Sequence, residues 1–299
     1  MNILSKKYLY LIFSLVIIIP GIISLILYGL NLSIEFTGGS RLTLTFPKTI
    51  SSSQVSSVRN VFSENNIKVQ TLEKSKNTLF IRTAPIDQKQ DVKIIGQIKS
   101  RVGEFKQSEY ETVGPTIGTE ITFNAIKALV IASLLIVIYI TWTFRKVPKP
   151  ASSLRFGISA IIALIHDVLV LLGIFSILGH FFKIEVDSLF VTAVLTVIGF
   201  SVHDTIVVFD RIRENLKRVG SESFEQVVND SILQTLDRSF NTSLTVVLVL
   251  LSLLFFGGDS VKWFVVALLI GVVSGTYSSI FNAAPILVIW QDLINKRRK

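Results

Sequence analysis

The sequence predicts a polytopic α-helical membrane protein with six transmembrane helices and a small extracytoplasmic α+β domain. Half of the 299 residues are hydrophobic and the mean hydropathy is +0.60, which is too apolar for an ordinary soluble domain. The apolar residues form six stretches, each long enough to cross a bilayer at about 1.5 Å rise per residue. One long polar region separates the first stretch from the second.

The apolar stretches give the expected bounds of the spans. These are Tyr8–Leu30, Phe123–Phe144, Phe156–Phe182, Ser188–Phe209, Leu236–Phe256 and Trp263–Trp290. The first, within domain 1–30, is interpreted as a retained anchor because it is long and lacks a clear small-residue cleavage pattern.

Basic residues in alternate short connections predict the orientation. They precede span one, follow spans two and four, and end the chain: Lys6, Lys7, Arg145, Lys146, Lys149, Arg155, Arg211, Arg213, Lys217, Arg218, Lys296, Arg297, Arg298 and Lys299. By the positive-inside rule, both termini are expected to be cytoplasmic and residues 31–120 extracytoplasmic. This topology explains the net charge of +9 better than a nucleic-acid partner does.

Residues 31–120 are expected to form a ferredoxin-like domain. Alternating apolar residues predict strands over 41–46, 67–73, 77–83 and 104–113. Apolar residues at helical spacing predict helices over 52–66 and 88–103. The order β-α-β-β-α-β is that of the ferredoxin-like fold, which by itself predicts no activity.

Residues 121–299 are expected to form a five-helix bundle with a cytoplasmic loop over 211–237. An apolar stripe within that loop predicts a short helix lying along the membrane surface, capped by Ser221 or Ser223. The stripe consists of Phe224, Val227, Val228, Ile232, Leu233 and Leu236.

Asp204 is the main candidate functional residue because it lies inside span four, where a carboxylate costs at least about 2.5 kcal/mol to insert. Arg238 begins span five at a matching depth, so an ion pair between the two helices is feasible. Burial favours the neutral carboxyl and an arginine favours the charged one, so relative motion would switch its protonation. The alternatives are a static structural pair and, for Arg238, an interfacial side chain that reaches the headgroups.

Three further polar residues lie within the spans. His166 and Asp167 are near the middle of span three, but adjacent helical positions point about 100° apart, so they are not expected to share one small site. One is expected to be functional while the other bonds a neighbouring helix, or both are structural. His203 is a candidate proton relay next to Asp204, with packing as its alternative role.

Glycine motifs are expected to shape the backbone. IEFTGG, with Phe36, Thr37, Gly38 and Gly39, predicts a turn where the chain leaves the membrane, and VGPTIG, with Gly114 and Pro115, is its partner on re-entry. Gly271 and Gly275 are expected to allow close helix packing. The sequence has no cysteine and no nucleotide, catalytic-triad or metal-spacing motif, so neither an enzyme nor a cofactor is expected.

Taken together, these segments resemble the SecF branch of the SecD/SecF family. IEFTGG resembles that branch's DFTGG signature, with Glu35 in place of Asp, and VGPTIG matches its VGP signature. Segments 163–173, 198–215, 235–245 and 275–287 are also similar. His203 departs from the asparagine that is common there.

The resemblance implies half of a transporter of the resistance-nodulation-division (RND) superfamily, embedded in membrane lipid and paired with SecD. It implies that the pair uses the proton-motive force to assist late, extracytoplasmic steps of preprotein export through SecYEG and SecA. It assigns the functional Asp and Arg to Asp204 and Arg238. Two other functions stay open: half of an RND-type exporter of small molecules or lipids, and a non-transporting scaffold of the translocon.

Overall fold

The computed structural model describes residues 2–145, 147–148, 152–218 and 222–297. The chain forms two compact units, one of Met1–Asn31 with Lys127–Lys299 and one of Leu32–Ile126. In chain order the elements are α1 Lys7–Tyr28, α2 Ile34–Thr37, β1 Gly39–Thr45, α3 Ser52–Glu64, β2 Val69–Ser75, β3 Thr78–Thr83, α4 Gln88–Val102, β4 Lys106–Val113, α5 Pro115–Thr143, α6 Ser153–Phe182, α7 Ser188–Arg218, α8 Phe224–Phe256, α9 Asp259–Ser278 and α10 Ala284–Arg297.

The prediction of six spans is confirmed. Among the described residues, six helical segments are long and apolar enough to cross a membrane: Leu4–Tyr28, Pro115–Thr143, Ser153–Phe182, Ser188–Arg218, Phe224–Phe256 and Asp259–Lys296. Several of these helices extend into polar sequence. In α7 the extension is supported by ion pairs of Glu214 with Arg211 and Arg218, three residues before and four after it.

The expectation of a separate surface helix within residues 211–237 is wrong. α7 runs on to Arg218 and α8 begins at Phe224, so both spanning helices continue through most of this segment. The apolar stripe is largely buried, with Val228 and Ile232 fully so. Asn215 of α7 donates to Ser231 of α8 at 2.9 Å. The stripe therefore packs within the protein instead of facing lipid, and Ser223 caps α8.

A π-helical turn over Ser279–Ala283 separates α9 from α10 within the last span. The apolar pattern of the last span does not predict this turn. Such single turns are frequent at functional sites.

The second unit contains an antiparallel four-stranded sheet in the order β2-β3-β1-β4. Its elements follow the predicted order, with strand and helix bounds within a few residues of those expected. Alternate residues of the central strands, such as Leu42 and Ile81, are fully buried in one cluster with apolar residues of α3 and α4. Capping boxes at Ser51 and Asp87 begin the two helices.

Candidate functional site

Two glycines of α9 allow this helix to lie directly against α7. A Cβ added at Gly271 would lie 2.0 Å from Val197 Cγ2, and one added at Gly275 would lie 3.1 Å from the Ser201 Cα. An added methyl group would overlap Val197 at Gly271 and would be tight against Ser201 at Gly275. The close packing places the polar residues that follow Gly275 beside the polar residues of α7.

Asp204 is buried where α7 meets α8 and α9. The residue is 2% exposed, and Thr276 Oγ1 lies 3.4 Å from Asp204 Oδ2. Thr276 Oγ1 is in turn 2.5 Å from Ser243 Oγ of α8. The carboxylate therefore contacts a small hydroxyl cluster contributed by the two neighbouring helices.

Two basic side chains lie within electrostatic range of Asp204. They are His203, the preceding residue, and Arg238 of α8. Both are exposed in this chain. Within the described ranges no ion pair joins Arg238 to Asp204. Asp204 and Arg238 therefore lie near each other, but they do not form the direct ion pair that their matching depths in the membrane made feasible.

Asp167 forms the most extensively bonded polar site in the described part of the bundle. It is fully buried and accepts hydrogen bonds from Ser201 of α7 at 2.5 Å, Ser274 of α9 at 2.7 Å and Ser278 of α9 at 2.6 Å. Three hydroxyl donors from two helices satisfy a carboxylate on a third. This site therefore fixes the relative positions of α6, α7 and α9.

The expectation that His166 and Asp167 would not share a site is wrong. His166 Nδ1 lies 3.0 Å from Asp167 Oδ1. The two Cβ atoms do point in different directions, but the imidazole is long enough to bend back to its neighbour's carboxylate. His166 therefore supplies the fourth contact to Asp167.

Hydroxyl groups extend from the Asp167 site towards Asp204. Ser201 precedes Asp204 by one helical turn, and Thr205 Oγ1 lies 2.8 Å from Ser279 Oγ of the π-helical turn. The sequence patterns did not predict that Thr276 and Ser278 bond these carboxylates. The signal was present as small polar residues in apolar spans, which commonly form hydrogen bonds between helices.

In the second unit, the motifs IEFTGG and VGPTIG lie together. Gly38 and Gly39 have φ of +70° and +124°, values that glycine tolerates and other residues rarely adopt. A Cβ at Gly118 would lie 3.0 Å from the Phe36 carbonyl oxygen. Phe36 and Thr37 belong to the one-turn helix α2 and Pro115 begins α5, whereas nothing in the structure explains Gly114.

Metal-ligand clusters are absent from the part of the chain that the structure describes. Across the described residues, no three His, Cys, Asp or Glu side chains converge as metal ligands would. The chemistry available to the bundle is that of two buried carboxylates, their hydroxyl donors and nearby basic groups.

Comparison with family models gives two matches. The model described as "Protein export membrane protein SecD/SecF, C-terminal" matches residues 94–293. The model described as "SecD/SecF GG Motif" matches residues 23–49, which include Gly38 and Gly39.

Individual proteins are similar along nearly the whole chain. The protein translocase subunit SecF of Thermobaculum terrenum is 50% identical over 301 residues, covering 97% of this chain and 94% of the relative. The SecDF subunit of Bacillus subtilis is 36% identical, covering 96% of this chain and 38% of the relative. A crystal structure of SecDF, a translocon-associated membrane protein from Thermus thermophilus, matches with a TM-score of 0.82 at 31% identity, covering 98% of this chain and 39% of that chain.

Proposed function

Because the chain belongs to the SecD/SecF family of protein-export membrane proteins, we propose that it couples the proton-motive force to preprotein export as the SecF-type subunit of a Sec translocase. In this proposal it assists late steps, on the outer side of the bacterial inner membrane, of export through SecYEG driven by SecA. It carries no hydrolytic chemistry of its own. Both termini are cytoplasmic, and residues 31–120 form an extracytoplasmic domain of the ferredoxin-like class.

A SecD-type partner is part of the proposal. The chain spans about two fifths of the length of the SecDF proteins that it matches. In those proteins a SecF-like part is joined to a further part in one polypeptide. A SecD-type part is proposed to complete an RND-type assembly with this chain within the lipid bilayer.

The observation that carries the proposal is the buried Asp204 carboxylate. It lies at a junction of three spanning helices, with hydroxyl ligands from two of them and with His203 and Arg238 in electrostatic range. A carboxylate in this position is costly to keep. Proton uptake and release at Asp204 would alter its attraction to Arg238, and this change would shift the equilibrium between two arrangements of α7 and α8.

The available energy is sufficient for such a shift. One proton that crosses a potential of 100 mV yields about 2.3 kcal/mol. That amount can bias states of the outer domain that differ by a few kcal/mol. His166 and Asp167 are secondary candidates for this pathway, since Ser201 bonds Asp167 one turn before Asp204.

Export into inverted membrane vesicles, with and without an imposed proton gradient, tests the proposal. Asp204→Asn keeps the side-chain shape but cannot ionise, so it should lose the gradient-dependent part of export. Asp204→Glu should retain part of it. Asp210→Asn is the matched control because Asp210 lies on the same helix but is exposed.

The two other functions give different results in the same assay. A scaffold would tolerate Asp204→Asn while still requiring the chain for export. An exporter of small molecules or lipids would leave preprotein export unchanged when the chain is absent. The proposed function further requires that the chain reconstituted without a SecD-type partner does not stimulate export.

A further inference from the structure

A small groove lies between the start of α1 and the end of α10. Its volume is about 240 Å³, and it is lined by Tyr8 of α1 and by Ile289, Asp292, Leu293, Asn295 and Lys296 of α10. Tyr8 is the second residue of α1, and Lys296 is the last but one of α10. The groove therefore lies at the ends of the first and last spans, where a bilayer places its headgroups.

The carboxylate in the lining is already paired. Asp292 Oδ2 lies 3.1 Å from Lys7 Nζ, which also binds Glu225 Oε2 of α8 at 3.0 Å. Asp292 and Lys296 are four residues apart on α10, a spacing at which opposite charges commonly pair. Within the described ranges, however, no ion pair joins them. Because Lys7 neutralises Asp292, the Lys296 ammonium is left available to a ligand.

The other polar groups of the groove offer hydrogens. Lys296 is exposed and Tyr8 is 62% exposed, and neither side chain has a hydrogen bond to the part of the chain that the structure describes. Asn295 Oδ1 accepts from Gln291 at 3.0 Å, so the Asn295 amide hydrogens point to other partners. An ammonium, a phenol and an amide can all donate. The matching ligand is therefore an acceptor, and the unpaired ammonium favours an anion.

The part of the groove nearer the middle of the spans is apolar. Leu293 and Ile289 lie three and seven residues before Lys296, so they share its face of α10, and Leu293 is 56% exposed. On α1, Ile12 follows Tyr8 by about one turn and is 60% exposed. A free phosphate would use only the donors, whereas an anionic headgroup with acyl chains would also cover these apolar side chains.

Charge beside the groove favours an anionic lipid over a zwitterionic one. Lys296 is the first of four consecutive basic residues, 296–299, and Lys6 lies two residues before Tyr8. Basic clusters directly beside a spanning helix are typical of sites for anionic phospholipids. A zwitterionic headgroup also carries a phosphate but has no net charge, so it gains less from this cluster.

We propose that this groove binds an anionic phospholipid, with its phosphate oxygens at the Lys296 ammonium and the Tyr8 hydroxyl and its acyl chains along the apolar residues of α1 and α10. The ion pairs of Lys7 already join α1 to α8 and α10 at this point, and the lipid adds a further link between the first and the last span. The inference is independent of the export function proposed for Asp204, since it rests on the charges and exposure of the groove alone.

Photolabelling of the full-length chain in phosphatidylcholine nanodiscs tests this site. Two probes are compared, phosphatidylglycerol and phosphatidylcholine, which have the same acyl chains and the same diazirine near the glycerol backbone. Labelled peptides are identified by mass spectrometry. The phosphatidylglycerol probe is expected to label the start of α1 and the end of α10 about fivefold more than the phosphatidylcholine probe, the factor that one basic residue near an anionic surface contributes.

Two lysine variants make the test specific. Lys296→Gln removes the unpaired ammonium and should lose most of the preference for phosphatidylglycerol. Lys262→Gln is the matched control, since Lys262 is also exposed but lies in the first turn of α9, at the opposite end of the last span, and this variant should keep the preference. Excess unlabelled phosphatidylglycerol should displace the probe, whereas excess inorganic phosphate should not, because it lacks acyl chains.

Four results would overturn the proposal. Equal labelling by the two probes would mean that the groove does not select an anionic headgroup. Equal losses in Lys296→Gln and Lys262→Gln would make the preference a general effect of positive charge. Displacement by inorganic phosphate would assign the groove to a free anion. Loss of labelling when a SecD-type partner is added would assign it to a contact between subunits.

Discussion

Gly271 controls how closely α9 packs against α7. A methyl group at this position would overlap the Val197 side chain, with only 2.0 Å between the added Cβ and Val197 Cγ2. Spanning helices depend on such small residues because packing, rather than hydrophobic burial, holds them together in lipid. This contact therefore supports the helix pair whose hydroxyl groups bond the two buried carboxylates.

We expect Gly271→Ala to lower the free energy of unfolding by about 1–3 kcal/mol, the usual cost of overpacking. Val197→Ala removes the overlapping methyl groups, so the double variant should regain part of the loss. Gly199→Ala is the control, since an added Cβ there meets nothing within 4 Å. Thermal unfolding in detergent measures the stability of Gly271→Ala, of the double variant and of Gly199→Ala. A double variant no more stable than Gly271→Ala would contradict an overlap with the Val197 side chain.

The sequence identified the buried carboxylates but not their partners. Asp204 and Asp167 stand out because ionisable residues are rare inside apolar spans. Their hydroxyl donors do not stand out in the sequence, because a serine that bonds its own helix backbone cannot be told by sequence from one that bonds another helix. The contact between His166 and Asp167 was missed because helical angles give the direction of Cβ but not the path of a longer side chain.

At the scale of elements, α4 places one carboxylate in an unfavourable environment. Asp91 is only 6% exposed, and the Gln107 amide of β4 donates to its two oxygens at 3.0 and 3.2 Å. Burial raises the pKa of the Asp91 carboxyl above its ordinary value of 3.8, and the Gln107 bond offsets this only in part. The folded domain therefore binds this proton more tightly than the unfolded chain does.

The sign of the pH effect follows from linkage. Between pH 3.8 and the raised folded-state pKa, the folded state holds more protons than the unfolded state, so this group's contribution to stability falls as pH rises. Asp91→Asn keeps an acceptor for Gln107 and removes the buried charge. It should make the domain more stable at pH 7, with the difference from the unsubstituted domain shrinking as pH falls towards 3.8.

A fragment of residues 32–113, expected to melt cooperatively, provides the measurement. Denaturant unfolding is followed by circular dichroism at several pH values. Glu73→Gln, at an exposed position on β2, is the matched control and should show no comparable gain. A pH-independent effect of Asp91→Asn would mean that its charge is not the cause.

The strands and helices of the second unit were predictable because their patterns are local. Alternation in RLTLTF and helical spacing in residues 88–103 each follow from one buried face. The extensions of α7 and α8 were not predicted, since their apolar stripe could equally cover lipid or protein. In the structure the two extensions contact each other, for example through Asn215 and Ser231, so the stripe covers protein. Neither segment alone reveals this contact.

For the whole molecule, the distribution of basic residues predicts which side of the membrane each unit faces. The chain has no native cysteine, so single introduced cysteines report cleanly. Ser75→Cys, exposed at the end of β2, should react with an impermeant maleimide added to intact spheroplasts. Glu222→Cys, between α7 and α8, should react only after permeabilisation, and the reverse pattern would refute the proposed orientation.

The overall architecture was largely available from composition, because six long apolar stretches and one polar region leave few arrangements. The assembly state could not be predicted from composition, because a helix that faces lipid and a helix that contacts a partner subunit have similar sequences. The close pairing of Gly21 with Gly173, where an added Cβ would lie 2.6–2.9 Å from the opposing backbone, was missed for the same reason. Each glycine is isolated in its own span, and only the fold brings the two together.

In the proposed function, proton movement through Asp204 drives preprotein export. Proteoliposomes that contain this chain, a SecD-type partner and SecYEG, with SecA outside and a pH-sensitive dye in an acidified lumen, would report proton exit during preprotein export into the lumen, which corresponds to the extracytoplasmic side. We predict export-dependent alkalinisation of the lumen with the unsubstituted chain and with Asp210→Asn, and none with Asp204→Asn. Normal alkalinisation by a correctly assembled Asp204→Asn complex would contradict the proposal and make Asp204 a structural residue.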